Sequence, residues 1–111
     1  MATVDLLQTL GNKYSAEILD ATEEPRSAQE LSDELEIPIA TCYRRIDELT
    51  EHDLLELHDN ILSHDRRRIK VYRRNVDEVR VDFDDGLTVH VEERSEVTNK
   101  LDEAWRTLSD R

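Results

Sequence analysis

The sequence predicts an α+β fold of four short helices, two antiparallel hairpins and a closing helix, in that order along 111 residues. Three observations predict it. Apolar residues recur at helical spacing in the first half and again near the C-terminus. Between these stretches, four short runs alternate apolar and polar residues, the period of half-buried strands. A capping signal and a proline then divide the first half into separate helices.

Val4, Leu7 and Leu10 mark the first helix, with Gly11 as its stop. Asn12 is the expected cap of a second helix whose apolar positions are Tyr14, Ile18 and Ala21, with Leu19 beside them. A loop at residues 23–26 follows. Ser27 and Glu30 have the spacing of a capping box, in which each side chain satisfies a free backbone N–H of the helix start. Ala28, Leu31 and Leu35 form the buried stripe of that third helix.

Glu36-Ile37-Pro38 ends the third helix, because proline pushes the preceding residue out of helical geometry and fits the start of a new helix. The fourth helix is expected over residues 39–52. Cys42, Ile46 and Leu49 face inward, and Thr41, Arg44, Arg45 and Glu48 lie opposite. Two short helices joined by so tight a turn form a helix-turn-helix pattern.

Residues 54–58 read as a strand, residues 59–65 as a loop and residues 67–73 as the returning strand. Arg68, Lys70 and Tyr72 fall on one side of the returning strand, with Ile69 and Val71 on the other. A second hairpin pairs Phe83 with Leu87, Val81 with Val89 and Val79 with Val91, so that all six share a face. That register leaves the loop Asp84-Asp85-Gly86, with glycine at the left-handed position. Ser95 is the expected cap of a last helix with Val97, Leu101, Ala104, Trp105 and Leu108 on one stripe.

The charge is unevenly spread over a chain of net charge −12. Residues 1–36 hold nine acids against two bases and residues 75–111 eleven against five, whereas residues 37–74 hold seven against eight. Only the middle third does not repel a polyanion, and it contains both the fourth helix and the cluster Arg66-Arg67-Arg68-Ile69-Lys70. Twelve arginines against three lysines on so acidic a chain suggest a protein of molar salt, where a Debye length of about 3 Å screens self-repulsion. The compositional expectation is a halophilic, archaeal source.

Other function classes are disfavoured. No apolar run is long enough to span a membrane, and no secretory signal opens the chain, so a cytoplasmic location is expected. A lone cysteine, Cys42, excludes an internal disulfide and a cysteine-based zinc cluster within one chain. Its place on the inward stripe makes it a core residue. His52, His58, His64 and His90 form no close ligand pair in sequence. No catalytic nucleophile–base signature and no glycine-rich phosphate loop appears, so neither an enzyme nor a cofactor is expected.

The chain resembles the winged helix-turn-helix regulators, above all the ArsR type and its haloarchaeal relatives. The resemblance is carried by Leu10-Gly11-Asn12, Ser27-Ala28-Gln29-Glu30-Leu31, the stretch from Ile37 to Leu49, and Asp53-Leu54-Leu55, and it covers roughly residues 3–74. It implies a winged helix-turn-helix DNA-binding domain over residues 1–74. Residues 75–111 then form an added β-hairpin and a dimerisation helix. The implied function is sequence-specific, double-stranded DNA binding by a transcription regulator, most often a repressor in families of this kind. A homodimer would meet an inverted repeat, its two recognition helices in successive major grooves about 10 base pairs apart.

Thr41, Tyr43, Arg44 and Arg45 are the candidates for the major groove, and the resemblance points most directly to Thr41 and Arg44. Arg66, Arg67, Arg68 and Lys70 are the candidates for the wing, which follows the phosphates or the minor groove. Leu7, Val97, Leu101, Trp105 and Leu108 are the candidates for pairing two copies, since a chain of this size has little core left to cover the last stripe. Two alternatives use the same scaffold: a protein-interaction module that binds no DNA, and a ligand or metal sensor. The family often has glycine in the turn before the recognition helix and again after it, where this chain has Glu36 and Asp53.

Overall fold

The computed structural model describes residues 2–62 and 65–94. The expected final helix, with Val97, Leu101, Ala104, Trp105 and Leu108, lies outside the described residues. The described chain is an α+β fold. Helix α1 (Ala2–Gly11) and α2 (Ser15–Ala21) lead into the short strand β1 (Arg26–Ser27), followed by α3 (Ala28–Leu35) and α4 (Ile39–Glu51). Strands β2 (Leu55–Leu62) and β3 (Arg68–Arg74) form the first hairpin, and β4 (Val76–Asp82) and β5 (Thr88–Glu93) the second. No helix among the described residues is long and apolar enough to cross a membrane.

One core holds the helices to the root of the wing. Ile18, Leu31, Cys42, Ile46 and Leu49 supply the helical side, and Leu54, Leu55 and Val76 the strand side. The five helical residues sit on the stripes their spacing predicts, whereas Leu54 and Val76, just before the first hairpin and at the start of the second, join the core without a place on a predicted stripe. Burial raises the Cys42 thiol pKa above its ordinary value, and its Sγ lies 3.5 Å from the Ala28 carbonyl oxygen, as befits a packed core residue.

The capping box forms as expected. The Glu30 N–H donates to Ser27 Oγ at 3.1 Å, and the Ser27 N–H donates to Glu30 Oε1 at 2.9 Å. Ser27 also belongs to β1, which adds a third strand to the sheet in the order β1-β3-β2. The start of α3 is thereby tied to the wing at Ser27↔Val71. Ser27→Ala should lower stability by about 1 kcal/mol in denaturant unfolding, with an unchanged slope.

The second helix departs from expectation. Tyr14, not Asn12, occupies the cap position of α2, with φ of 77°. The Asn12 carbonyl accepts from the Ser15 N–H at 3.1 Å, while its side-chain amide reaches Glu48 at 3.5 Å. The Tyr14 ring packs against the core and beneath the Lys13 ammonium, 5.0 Å from the ring centroid. These tertiary contacts oppose the preference that bulky residues have against left-handed backbone.

The first hairpin is longer than its alternation suggests. Strand β2 extends to Leu62, and Ile61 pairs with Ile69. The register shifts between Leu57 and Asp59, so His58 is the extra residue of a bulge. In the second hairpin, Val79 pairs with Val91 and Val81 with Val89, as expected. Gly86 has φ of 83°, the left-handed conformation expected for its loop.

Candidate nucleic-acid interface

The turn between α3 and α4 is closed by backbone geometry at Glu36. Its φ is 56°, its N–H donates to the Ser32 carbonyl, and the Ile37 N–H donates to the same oxygen at 3.1 Å. The Ser32 hydroxyl adds a bond to the Ile37 carbonyl at 2.5 Å. Pro38 then caps α4 with φ of −55°. The exit from α4 repeats the device. Asp53 has φ of 59°, and the Leu54 N–H donates back to the Leu49 carbonyl at 2.9 Å.

Both positions where the resembled family often has glycine thus carry the left-handed backbone that glycine favours. The turns keep their shape although the residues are acidic. Among the described residues, the tertiary bond at Asp53 is made by its backbone carbonyl, which accepts from the Asn75 amide at 3.0 Å, and glycine keeps that carbonyl. Asp53→Gly should therefore raise stability by roughly 0.5–1 kcal/mol: relief of the left-handed cost outweighs glycine's added freedom in the unfolded chain. Thermal unfolding of the two proteins checks this.

Burial of Cys42, Ile46 and Leu49 fixes the rotation of α4 and turns Tyr43 and Arg44 to solvent. Tyr43 is 52% exposed. Arg44 is fully on the outer face, its guanidinium 3.5 Å from the Thr41 hydroxyl. Arg45 is placed differently. Its Nε donates to the Lys13 carbonyl at 2.8 Å and its Nη1 pairs with Glu48 at 2.8 Å, leaving the side chain 17% exposed. Arg45 is committed to bracing α4 against the α1–α2 turn and is not presented beside Arg44.

The wing faces α4 across a groove of about 680 Å³. Tyr43 and Asp47 line it from α4, Gln29 from the start of α3, and Arg67, Arg68, Lys70 and Tyr72 from the wing. Lys70 and Arg68 share their side of β3 with Tyr72, while Val71 on the other side is buried. Burial raises the Tyr72 phenol pKa above its ordinary value, and the nearby Asp47 and Tyr43 add to the shift. Arg66 precedes β3 with φ of 63°, another left-handed residue at the approach to the wing.

Seven of the eight expected DNA-contacting residues therefore lie on the outer face of α4 or on the wing, and Arg45 lies on the bracing side. Asp47, Tyr72 and Gln29 line the groove without having been among the candidates, and Gln29 is the one from α3. Its position in the first turn of α3, two residues after the capping serine, was the available signal, because that turn opens beside the wing. Arg73 and Arg74 sit at the wing root instead. Arg73 pairs with Glu56 at 3.0 Å, and Arg74 donates to the Val76 carbonyl at 3.1 Å.

Residues 10–58 match a family described as a helix-turn-helix domain. No curated protein and no solved structure matches the chain. The matched residues run from the end of α1, through the α3–turn–α4 unit, into the wing. The match spans less than half of the chain, and the turn geometry agrees with it: this segment is similar to helix-turn-helix domains.

Proposed function

We propose that the protein is a sequence-specific transcription regulator that reads duplex DNA as a homodimer on an inverted repeat and acts as a repressor. One observation carries the reading: an outward helix face and a basic wing flank one groove in an otherwise acidic chain. Arg44 and Thr41 supply base contacts, arginine through its two-pronged match to guanine O6 and N7. Tyr43 packs along the groove edge. Arg66, Arg67, Arg68 and Lys70 hold phosphates, which set register and carry little sequence information.

The acids on the same groove, Asp47 and Asp65, shape the salt response. Ordinary counterion release makes affinity fall steeply with salt. Carboxylates brought near phosphates take up cations on binding and oppose that loss. The composition and this arrangement support work in concentrated salt, in a halophilic archaeal cytoplasm.

The reading is tested by incubating the protein with fragmented genomic DNA in near-molar KCl and sequencing what is retained. Enrichment of a shared inverted repeat is expected. Retention without any shared sequence would leave a nonspecific binder, and no retention would favour a protein-interaction module, for which the exposed Leu57, Ile61 and Leu62 on β2 offer apolar surface.

A further inference from the structure

A helix with its side chains is about 10–12 Å across, close to the width of a major groove, so a helix seated there has a phosphate backbone along each flank. The wing serves one flank of α4. Tyr43 and Asp47 stand on that side and line the groove together with Arg67, Arg68 and Lys70. Arg45 follows Tyr43 by two residues, about 200° around the helix, and so marks the opposite flank. Its Nε donates to the Lys13 carbonyl at 2.8 Å, which sets the α1–α2 turn against that flank. The Asn12 amide reaches Glu48 at 3.5 Å, a second contact between the same turn and α4.

We propose that Lys13, on this turn, holds a phosphate of the DNA backbone that lies across the major groove from the wing. The assignment rests on the DNA reading above and adds a second line of backbone contact to it. Three observations select Lys13. The first is uncancelled charge. Arg45 pairs with Glu48 at 2.8 Å, so their charges offset and Lys13 supplies the net positive charge of this contact. Residues 1–36 hold two bases, Lys13 and Arg26. Arg26 lies 4.0 Å from Glu34, whereas Lys13 is exposed, with its ammonium over the Tyr14 ring at 5.0 Å from the centroid.

The second observation is a fixed backbone. The Lys13 carbonyl is bound by Arg45, the Asn12 carbonyl accepts from the Ser15 N–H at 3.1 Å, and Tyr14 packs its ring against the core. A phosphate contact sets the register of a reading helix only when the backbone that carries it is fastened to that helix. The third is range. A lysine–phosphate hydrogen bond spans about 2.8 Å, within the Debye length of about 3 Å in molar salt. Such a direct contact persists where longer-range attraction is screened.

The surroundings limit where the phosphate lies. Beyond Glu48 the same flank opens into a cleft lined by Asp5, Glu51 and His52, whose carboxylates disfavour a phosphate. The contact therefore falls level with the first half of α4, the half that carries Thr41 and Arg44. Phosphate contacts then bracket Arg44, from the wing on one flank and from Lys13 on the other, and fix the tilt at which it meets the base edges.

Lys13→Gln in the full chain keeps the carbonyl that Arg45 binds and removes only the charge. It should weaken the selected duplex and a scrambled one alike, by roughly 3- to 10-fold, and change the logarithmic salt slope by about one relative to wild type. Lys13→Arg should restore wild-type binding, because charge is what acts. Neutral methylphosphonates walked along both strands locate the contact. One position should weaken wild type and leave Lys13→Gln indifferent, and it should lie across the major groove from the positions that Lys70→Ala no longer senses. Wild-type affinity in Lys13→Gln would overturn the proposal. So would an arginine variant as weak as the glutamine one, a loss confined to the selected duplex, or a phosphate shared with Lys70. Each of these leaves the DNA reading standing if Arg44→Ala still narrows the sequence preference, whereas a wild type that binds no duplex sinks both.

Discussion

Arg44→Ala should weaken binding to the selected duplex by roughly 10- to 100-fold, the effect of losing a two-pronged guanine contact worth about 1–3 kcal/mol. The side chain stands exposed on the outer face of α4, 3.5 Å from the Thr41 hydroxyl, so little in the free protein is disturbed by removing it. Unfolding stability should stay within about 0.5 kcal/mol of wild type, as for ordinary surface changes. The loss should be greatest on the preferred sequence and small on an unrelated duplex. The neighbouring substitution reverses the pattern. Arg45→Ala removes the bond to the Lys13 carbonyl and the Glu48 pair, so it should lower stability by about 1–2 kcal/mol and leave sequence preference intact. Titrating both variants against both duplexes, alongside denaturant melts, separates reading from bracing.

Ile46→Ala should have the largest effect on stability, a loss of about 2–5 kcal/mol. Ile46 is 1% exposed and lies in the core that joins α4 to α2, α3 and the strands. Removing it costs the transfer energy of its buried methyl and methylene groups and leaves a cavity that these rigid neighbours fill only in part. A domain of this size has only about 5–15 kcal/mol of net stability. The same side chain sets the rotation of α4, so DNA affinity should fall even under conditions where the variant stays folded. Denaturant unfolding gives the stability change, and binding measured well below the unfolding midpoint gives the second effect.

Much of this architecture was legible because local chemistry and tertiary structure agree. The Ser27–Glu30 capping box forms with both bonds made. The hairpin register through Val79–Val91 and Val81–Val89 follows from placing apolar residues on one face. The inward stripe of Cys42, Ile46 and Leu49 was likewise readable from spacing alone. Glu36 and Asp53 looked like departures from a glycine pattern, yet both hold the left-handed backbone that such a pattern encodes. The surrounding helix-closing bonds impose the shape, and the side chain only tolerates it.

What was not legible depends on contacts distant in sequence. Asn12 has good capping chemistry, but its amide is drawn to Glu48, 36 positions away, and Tyr14 takes the cap. The continuation of β2 was hidden because the bulge at His58 breaks the two-residue alternation. At the site itself, Arg44 and Arg45 are indistinguishable as neighbours on a helix. The bond from Arg45 to the Lys13 carbonyl, 32 positions away, separates their roles, and no local pattern encodes it.

The central claim is that the outer face of α4 and the wing form one DNA-reading surface. Its most direct test is competition in near-molar KCl between the selected duplex and one of equal length and scrambled sequence, for wild type, Arg44→Ala and Lys70→Ala. Wild type should prefer the selected duplex by about 10³-fold or more. Arg44→Ala should narrow that preference, whereas Lys70→Ala should weaken both duplexes alike. Equal affinity of wild type for the two duplexes, or a preference untouched by Arg44→Ala, would contradict the claim.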